Sequence, residues 1–145
     1  MALAGDHVVV KATNSAGQVK QFAAGDIIAV DLPVGIDQYD VSGFGDAMHN
    51  VINGQMNLTV GLRGYLTLTA DTGTHTVLRD VYQQGKKVTL EVQVGNNAAP
   101  VVGDPKFTGE FYVDSYVPVI ETGKAIQFVA RLRPATGTAP IWTTV

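Results

Sequence analysis

The run Gln55–Ala70, QMNLTVGLRGYLTLTA, constrains the fold more than any other stretch of the chain. Met56, Leu58, Val60, Leu62, Leu66, Leu68 and Ala70 fall on even positions, and Asn57, Thr59, Arg63, Tyr65, Thr67 and Thr69 on odd ones. That is the period of a strand with one apolar and one polar face. At about 3.3 Å per residue the run would reach roughly 50 Å fully extended, whereas a compact domain of this length is about 40 Å across. The strand must bend or protrude. Gly61 and Gly64 interrupt it where a bend or bulge costs least, which predicts one bent strand or two strands joined there.

The rest of the chain reads as β-structure around one helix. His7–Ala12 and Gln18–Ala23 flank the turn-like Asn14-Ser15-Ala16-Gly17 and predict an opening hairpin, followed by a strand over Asp26–Leu32. The span 34–54 holds four glycines among acidic and amide residues and is read as a long loop containing a short strand, Gln38–Val41, with Asn53-Gly54 as a turn. In His75–Gln84 the apolar residues Val77, Leu78, Val81 and Tyr82 make one helical stripe, with Thr74 as candidate N-cap and Gly85 as the stop. Lys87–Val94 alternates again, with Val88, Leu90, Val92 and Val94 inward. A long strand from Phe107 to Val119, which Ser115 and Pro118 could divide, turns at Thr122-Gly123-Lys124 into a returning strand with Ile126, Phe128, Ala130 and Leu132 inward. The tail, 134–145, carries Ile141 and the only tryptophan, Trp142, so it must fold back on its own domain or dock on a neighbour.

With 145 residues, 46% of them hydrophobic, the chain is expected to be a single domain, 1–145, with a core that needs no staples. There is no cysteine, so disulfides, thiolate metal sites and cysteine nucleophiles are excluded. No apolar run approaches the roughly 18 to 20 residues that span a bilayer, and the start, MALAGDH, is read without a secretory signal, so no membrane partner is expected. The ten basic residues are scattered in a chain of net charge -3, against a nucleic-acid site of ordinary affinity. Lys86-Lys87, the one adjacent pair, follows the helix end, where cations suit the macrodipole.

Gly43-Phe44-Gly45 lies between loop and strand, not between strand and helix, and is no phosphate loop. His7, His49 and His75 lie in separate elements. Asp37, Asp40 and Asp46 share the long loop and could hold calcium only outside any EF-hand spacing, and solvation or turn formation accounts for them more simply. No nucleophile elbow or acid–base constellation recommends an enzyme, and no cofactor or metal is expected.

The order of elements resembles the major tail tube proteins of long-tailed, non-contractile bacteriophages. The likeness is carried by VSGFGD at Val41–Asp46 followed by His49–Asn57, by the helix, glycine stop and alternating strand of His75–Val94, and by the closing hairpin from Phe107-Thr108-Gly109 to Phe128-Val129-Ala130 with Thr136-Gly137-Thr138 after it. The first strands match less clearly, and Arg131-Leu132-Arg133-Pro134 stands where a more polar run is expected. The resemblance implies a mainly β fold, a β-sandwich or open barrel of antiparallel strands with one flanking helix. It also implies subunits that close into rings, hexameric by family precedent, and stack into a virion tail tube assembled in the host cytoplasm.

On that reading DNA passes through without specific binding, and tape-measure, distal-tail and terminator proteins are the further partners. A long two-faced strand suits such an assembly, because ring closure removes free sheet edges. The candidate contacts between subunits are then Asp37, Tyr39, Phe44 and Asp46 in the loop at 34–54, directed to the adjacent ring, and Ile141 and Trp142 in the tail. The candidates for the lumen wall, from the polar faces of strands, are Asn57, Thr59, Arg63, Glu91, Gln93 and Gln127, and that wall is expected to be neutral to negative so that DNA slides. The rival readings are a tail terminator, a capsid decoration protein and, from a different class, a carbohydrate-binding β-sandwich.

Overall fold

The computed structural model describes residues 8–95, 101–135 and 139–145. In chain order the elements are β1 (Val8–Thr13), β2 (Val19–Gln21), β3 (Ile27–Asp31), β4 (Val34–Asp40), β5 (Val51–Leu58), β6 (Val60–Tyr65), α1 (Thr74–Gln84), β7 (Val88–Val94), β8 (Pro105–Val119), β9 (Gln127–Pro134) and β10 (Ile141–Thr144). One sheet runs β2-β1-β7-β8-β9-β6-β3, every described pairing is antiparallel, and β4 and β5 form a separate two-stranded ribbon.

β8 is the axis of this sheet. Along Lys106–Phe111 it pairs with β7. On its other edge β10 pairs with Pro105–Thr108 and β9 with Phe111–Val119, so the sheet forks there. Its fifteen residues exceed what one neighbour can cover, and a register shift between Val113 and Ser115 lets the strand change course. Such a bulge adds a residue and a local twist without ending the strand. Pro118 lies beyond the part paired with β7, where a missing backbone N–H removes no ladder bond on that side.

Apolar alternation builds the core. Val88, Leu90 and Val92 of β7, Phe107 and Phe111 of β8, Phe128, Ala130 and Leu132 of β9, and Val60 and Leu62 of β6 point to one side and are buried. Val77, Leu78 and Val81 of α1 join the same cluster, as do Val10, Ala12, Phe22 and Leu58. The two ends of the strand order meet across an apolar cleft of about 530 Å³ lined by β3 on one side and β1 and β7 on the other, so the sheet curls around its core without closing. The expected β-sandwich or open barrel with a flanking helix is this structure.

Four details differ from the sequence reading. The run Gln55–Ala70 breaks at Thr59, not at Gly61 or Gly64: β6 stays in the main sheet, β5 leaves it, and Leu66–Ala70 is not strand. The span 34–54 is a hairpin, with Val34 opposite Leu58 and Asp40 opposite Val51, where a long loop was expected. Glycines and acids lower strand propensity, but pairing with a neighbour overrides it. Gly73, not Thr74, is the N-cap of α1. A Cβ there would lie 2.7 Å from Thr67 O, and Thr74 is wholly buried with its Oγ1 donating to Tyr65 O at 2.7 Å and accepting from Thr67 N–H at 3.0 Å. At the other end Gly85, at φ 62°, and Lys86 return their N–H groups to Tyr82 O and Val81 O, a Schellman closure. Tyr82, read as part of the buried stripe, is exposed.

The tail resolves to its own domain. β10 pairs with the start of β8, and the Trp142 ring packs edge-on against Phe107 with centroids 5.3 Å apart.

Two glycines of β6 provide a test. A Cβ at Gly64 would lie 2.2 Å from Asp26 O and 3.1 Å from the Phe128 ring, whereas at Gly61 it would meet only the Asp31 side chain, at 3.4 Å or more. Gly64→Ala is expected to cost about 2–3 kcal/mol, as overpacking does, and Gly61→Ala to stay within about 0.5 kcal/mol. Urea midpoints of the two variants measure the contrast.

Candidate self-assembly site

The β4–β5 hairpin stands off the sheet and carries a row of uncovered apolar side chains. Ile36, Tyr39, Val41, Val51 and Ile52 are each about half exposed, Met48 is 80% exposed, and Phe44 at the tip is fully in solvent. An apolar strip of this kind on one projecting element marks an interaction surface.

The tip is held by its own polar side chains. Ser42 N–H donates to Asp40 Oδ1 at 2.8 Å, Asn50 N–H to Ser42 Oγ at 2.7 Å, and Asn50 Nδ2 to Asp46 Oδ2 at 3.1 Å. Val41 N–H closes the ladder on Asn50 O, and Gly43 N–H donates to Asp46 Oδ2. His49 Nδ1 lies 3.2 Å from Asp40 Oδ2. Ser42, through its hydroxyl and its backbone N–H, holds the Asp40 carboxyl below its ordinary range, and His49 adds to this. Asp40 and Asp46 thus shape the turn, and among the described residues no cluster of three or more His, Asp or Glu is arranged to hold a metal ion. Asp37 is half-buried on β4.

A second surface consists of unpaired strand edges. From Tyr112 to Val119, β8 pairs with β9 on one edge and, among the described residues, with nothing on the other. At the far side of the segment β8-β9-β6-β3, the edge strand β3 is paired, among the described residues, with β6 alone. Val117, Val119 and Ile120 on and after the β8 extension are exposed. Its inner side is anchored: His75 Nδ1 and Tyr116 Oη lie 2.8 Å apart, and Tyr116 packs on Phe128 with ring centroids 5.7 Å apart. Burial raises the Tyr116 phenol above its usual range.

The residues proposed for a lumen wall do not make one surface. Thr59, Arg63 and Gln127 lie on the β8-β9-β6-β3 half, with Thr59 and Arg63 exposed. Glu91 and Gln93 lie on β7, on the other half of the curled sheet. Gln93, expected outward, is only 8% exposed and donates from Nε2 to Glu91 Oε1, and Lys106 Nζ lies 3.9 Å from Glu91. The side chain of Asn57 lies outside what the structure describes, and so does the Thr136-Gly137-Thr138 segment. Ile141 and Trp142 are each half exposed on β10, apart from the hairpin residues. Sequence reasoning noted Arg131 and Arg133 as a departure from the family pattern and Ser115 as a strand divider, and did not place them on one outward face with Arg63. Their alternation with Phe128, Ala130 and Leu132 was the available signal for the arginines.

No family model and no curated relative matches the sequence. Solved structures do. A chain from the tail of an empty gene transfer agent particle, determined with C6 symmetry, superposes with a TM-score of 0.72 at 16% identity, over 98% of this chain and 99% of that one. The SPP1 tail tube matches with a TM-score of 0.77 at 12% identity, over 99% of this chain and 80% of that chain. A chain of the six-fold symmetrised anti-feeding prophage baseplate gives a TM-score of 0.69 at 10% identity, over 99% of this chain and 96% of the other. The fold is that of phage tail tubes.

The Asp40 carboxyl allows a test of the tip. Its folded pKa lies below the ordinary 3.8, so its hydrogen bonds are fully present above that pH and are lost as pH falls through the lower folded value. In an NMR titration the Ser42 amide shift is expected to hold steady down to pH 4 and move only on further acidification. Ser42→Ala should return the Asp40 midpoint towards 3.8 and speed hydrogen exchange at the Asn50 amide.

Proposed function

We propose that this chain is the subunit of a virion tail tube, in which copies close into six-membered rings and the rings stack around a lumen that conducts DNA. The observation that carries this reading is the segment β8-β9-β6-β3, which has one free edge on the β8 extension and another on β3. A free edge offers unpaired N–H and C=O groups to another strand. A head-to-tail contact between two different edges, repeated around an axis, closes a ring and leaves no edge. The six-fold symmetry of the gene transfer agent tail supports the ring number.

The hairpin then reaches out of the ring. It continues β3 and β6, which lie side by side, so it projects along the strand direction beyond the closing edges. Phe44, Met48, Tyr39 and Ile52 suit burial against the adjacent ring, where an aromatic anchor dominates the energetics of such a contact. Asp46 holds the turn at the tip, and Asp37 on β4 stays a candidate contact beside these residues. Ile141 and Trp142 keep half their surface for a lateral neighbour while β10 holds them to their own sheet. The outward face of the four-stranded segment lines the lumen, with Thr59, Arg63 and Gln127 on it. Tape-measure protein runs through that lumen, and distal-tail and terminator proteins meet the tube ends.

A terminator that forms one ring and stops is the second reading, favoured by similarity to a structure of the sheath/tube terminator of an extracellular contractile injection system, with a TM-score of 0.62 at 12% identity. Electron microscopy of the concentrated protein separates the two: tubes of repeating rings are expected, and single rings would favour the terminator. Replacing residues 37–50 by a short turn should leave a folded subunit, judged by circular dichroism, that no longer forms tubes. Unchanged tubes would remove the hairpin from the stacking contact.

A further inference from the structure

Charge is unevenly placed along this chain. The stretch 34–58, which forms the β4–β5 hairpin, holds Asp37, Asp40 and Asp46 and no lysine or arginine. Three of the 13 acidic residues lie there, which leaves ten against ten basic ones elsewhere, so with His49 neutral the hairpin carries the whole net charge of -3. Asp40 is held by Ser42 N–H, and Asp46 by Gly43 N–H and Asn50 Nδ2. Those donors are uncharged, and the negative charge of the tip stays in place beside the exposed Phe44 and Met48.

Strand register places the opposite end of the subunit. β6 starts at Val60, opposite Leu132 and through it Val113, and ends at Tyr65, opposite Gln127 and through it Val119. β6 thus runs with β8, and β5, one residue ahead of β6, leaves from the end away from Val119. At the Val119 end Ile120 is 74% and Leu68 73% exposed, and among the described large hydrophobic residues only Phe44, Met48 and Val102 exceed them. Leu66 N–H donates to Ile126 O at 2.9 Å, which draws the run after β6 against the β8–β9 turn, where Ile126 is also exposed. Beside this crest opens a hollow of about 450 Å³ lined by Tyr65, Val119, Gln127 and the turn residues Glu121, Lys124 and Ala125. Lys86 and Lys87 lie on the same side, because β7 runs opposite to β8 with Val88 at Phe111, and the residues before Val88 are displaced towards Val119. Neither lysine enters an ion pair among the described residues, whereas Lys124 bonds Glu121 at 2.8 Å. Asp80, the acid of α1, accepts from Ser15 N–H and Gln84 Nε2 and is offset by Arg79 beside it.

One end of the subunit therefore presents an acidic tip with bare apolar side chains, and the other an apolar crest with two uncompensated cations. We propose that the hairpin tip of one subunit, through Phe44 and Met48, seats on the crest Leu68, Ile120 and Ile126 of a subunit in the next ring, with Lys86 and Lys87 there supplying the countercharge. The proposal rests on the tail-tube reading above and names the acceptor for its stacking contact. Two unlike patches at opposite ends of one body join head to tail and repeat along an axis. Two acidic tips facing each other would repel, so complementary charge selects this polarity over a head-to-head contact. A tube built this way has unlike ends, hairpins bare at one and crests at the other.

The chain contains no cysteine, so a pair introduced for cross-linking reports only the contact it bridges. Tubes copolymerised from wild-type and F44C/I120C subunits, then mildly oxidised, are expected to give covalent dimers and higher multimers on a non-reducing gel, since a disulfide needs Cα atoms within about 7 Å. M48C/I126C reads the same contact with Phe44 left in place. F44C/V102C should give no multimers, because Val102, more exposed than Ile120, precedes Pro105 on the hairpin's own side. K86E/K87E, its fold checked by circular dichroism, should raise the concentration at which tubes grow about tenfold at roughly 50 mM salt and far less at roughly 500 mM, as screening requires. Tubes in which neither F44C/I120C nor M48C/I126C cross-links overturn the acceptor and leave the tail-tube reading standing. A cross-link through V102C instead joins two hairpin ends and overturns it too. An unchanged growth threshold in K86E/K87E overturns the part given to the lysines. Failure of the wild-type chain to form tubes at all removes the tail-tube reading and this inference with it.

Discussion

Backbone hydrogen bonding at a sheet edge is the constraint on which the rest of this structure turns. A strand left with one unpaired side is a standing invitation to another strand, and soluble proteins usually blunt such edges by shortening, charging or covering them. Here β8 runs on for eight residues past the end of β7, from Tyr112 to Val119, with valines exposed along it. Phe107 and Phe111, the side chains of β8 buried most completely, lie in the part that β7 covers, while beyond it Val113 and Tyr116 are only partly buried against the core. The extension is instead supported from beneath by the contact of Tyr116 with His75 and Phe128. A strand propped in an extended form with a bare edge offers its unpaired N–H and C=O groups to another strand.

The core makes this possible by being compact and one-sided. Strands β1, β7, β8, β9 and β6 each give one face to it, and α1 gives Val77, Leu78 and Val81. Burying a side chain of this size contributes about 1.5–3 kcal/mol, and most of the core, including the fully buried Phe107, Phe111 and Phe128, lies outside the hairpin and the β8 extension, which add Leu58, Val113 and Tyr116 to it. The exposed side chains of the hairpin and the bare edge of the β8 extension lie outside that core and are left for contacts beyond the subunit.

Much of this was legible in the residues. Alternation located the strands from Val88 to Leu132, and the stripe at Val77, Leu78 and Val81 located the helix, because burial on one face imposes a period that composition alone does not hide. Gln55–Ala70 was read as a strand too long to lie straight in a compact domain; the chain divides it at Thr59, where β5 leaves the sheet that β6 belongs to, and leaves Leu66–Ala70 outside any strand. The hairpin at 34–54 was not legible, since its strands pair with each other and face solvent on both sides, so no apolar period marks them. Thr74 looked like a cap because capping is what threonine usually does there, but the space beside residue 73 excludes any Cβ and Thr74 is drawn inward. The arginines of β9 were visible as odd-numbered residues between buried ones, yet their nearness to Arg63 exists only once β6 and β9 are registered. Which outward residues share a surface is a property of curvature, and a strand pattern does not encode it.

The hydrogen-bonded tip at Asp40–Asn50 has a kinetic consequence. A segment that must order itself while it docks surrenders conformational entropy at that moment, and association slows accordingly. Here the turn is already set by Ser42, Asp46 and Asn50 in the lone subunit, and the benzyl group of Phe44 has two torsions left to freeze. In the proposed tube, successive copies would then add at a pace governed by collision and alignment, with this tip already in shape at the advancing end.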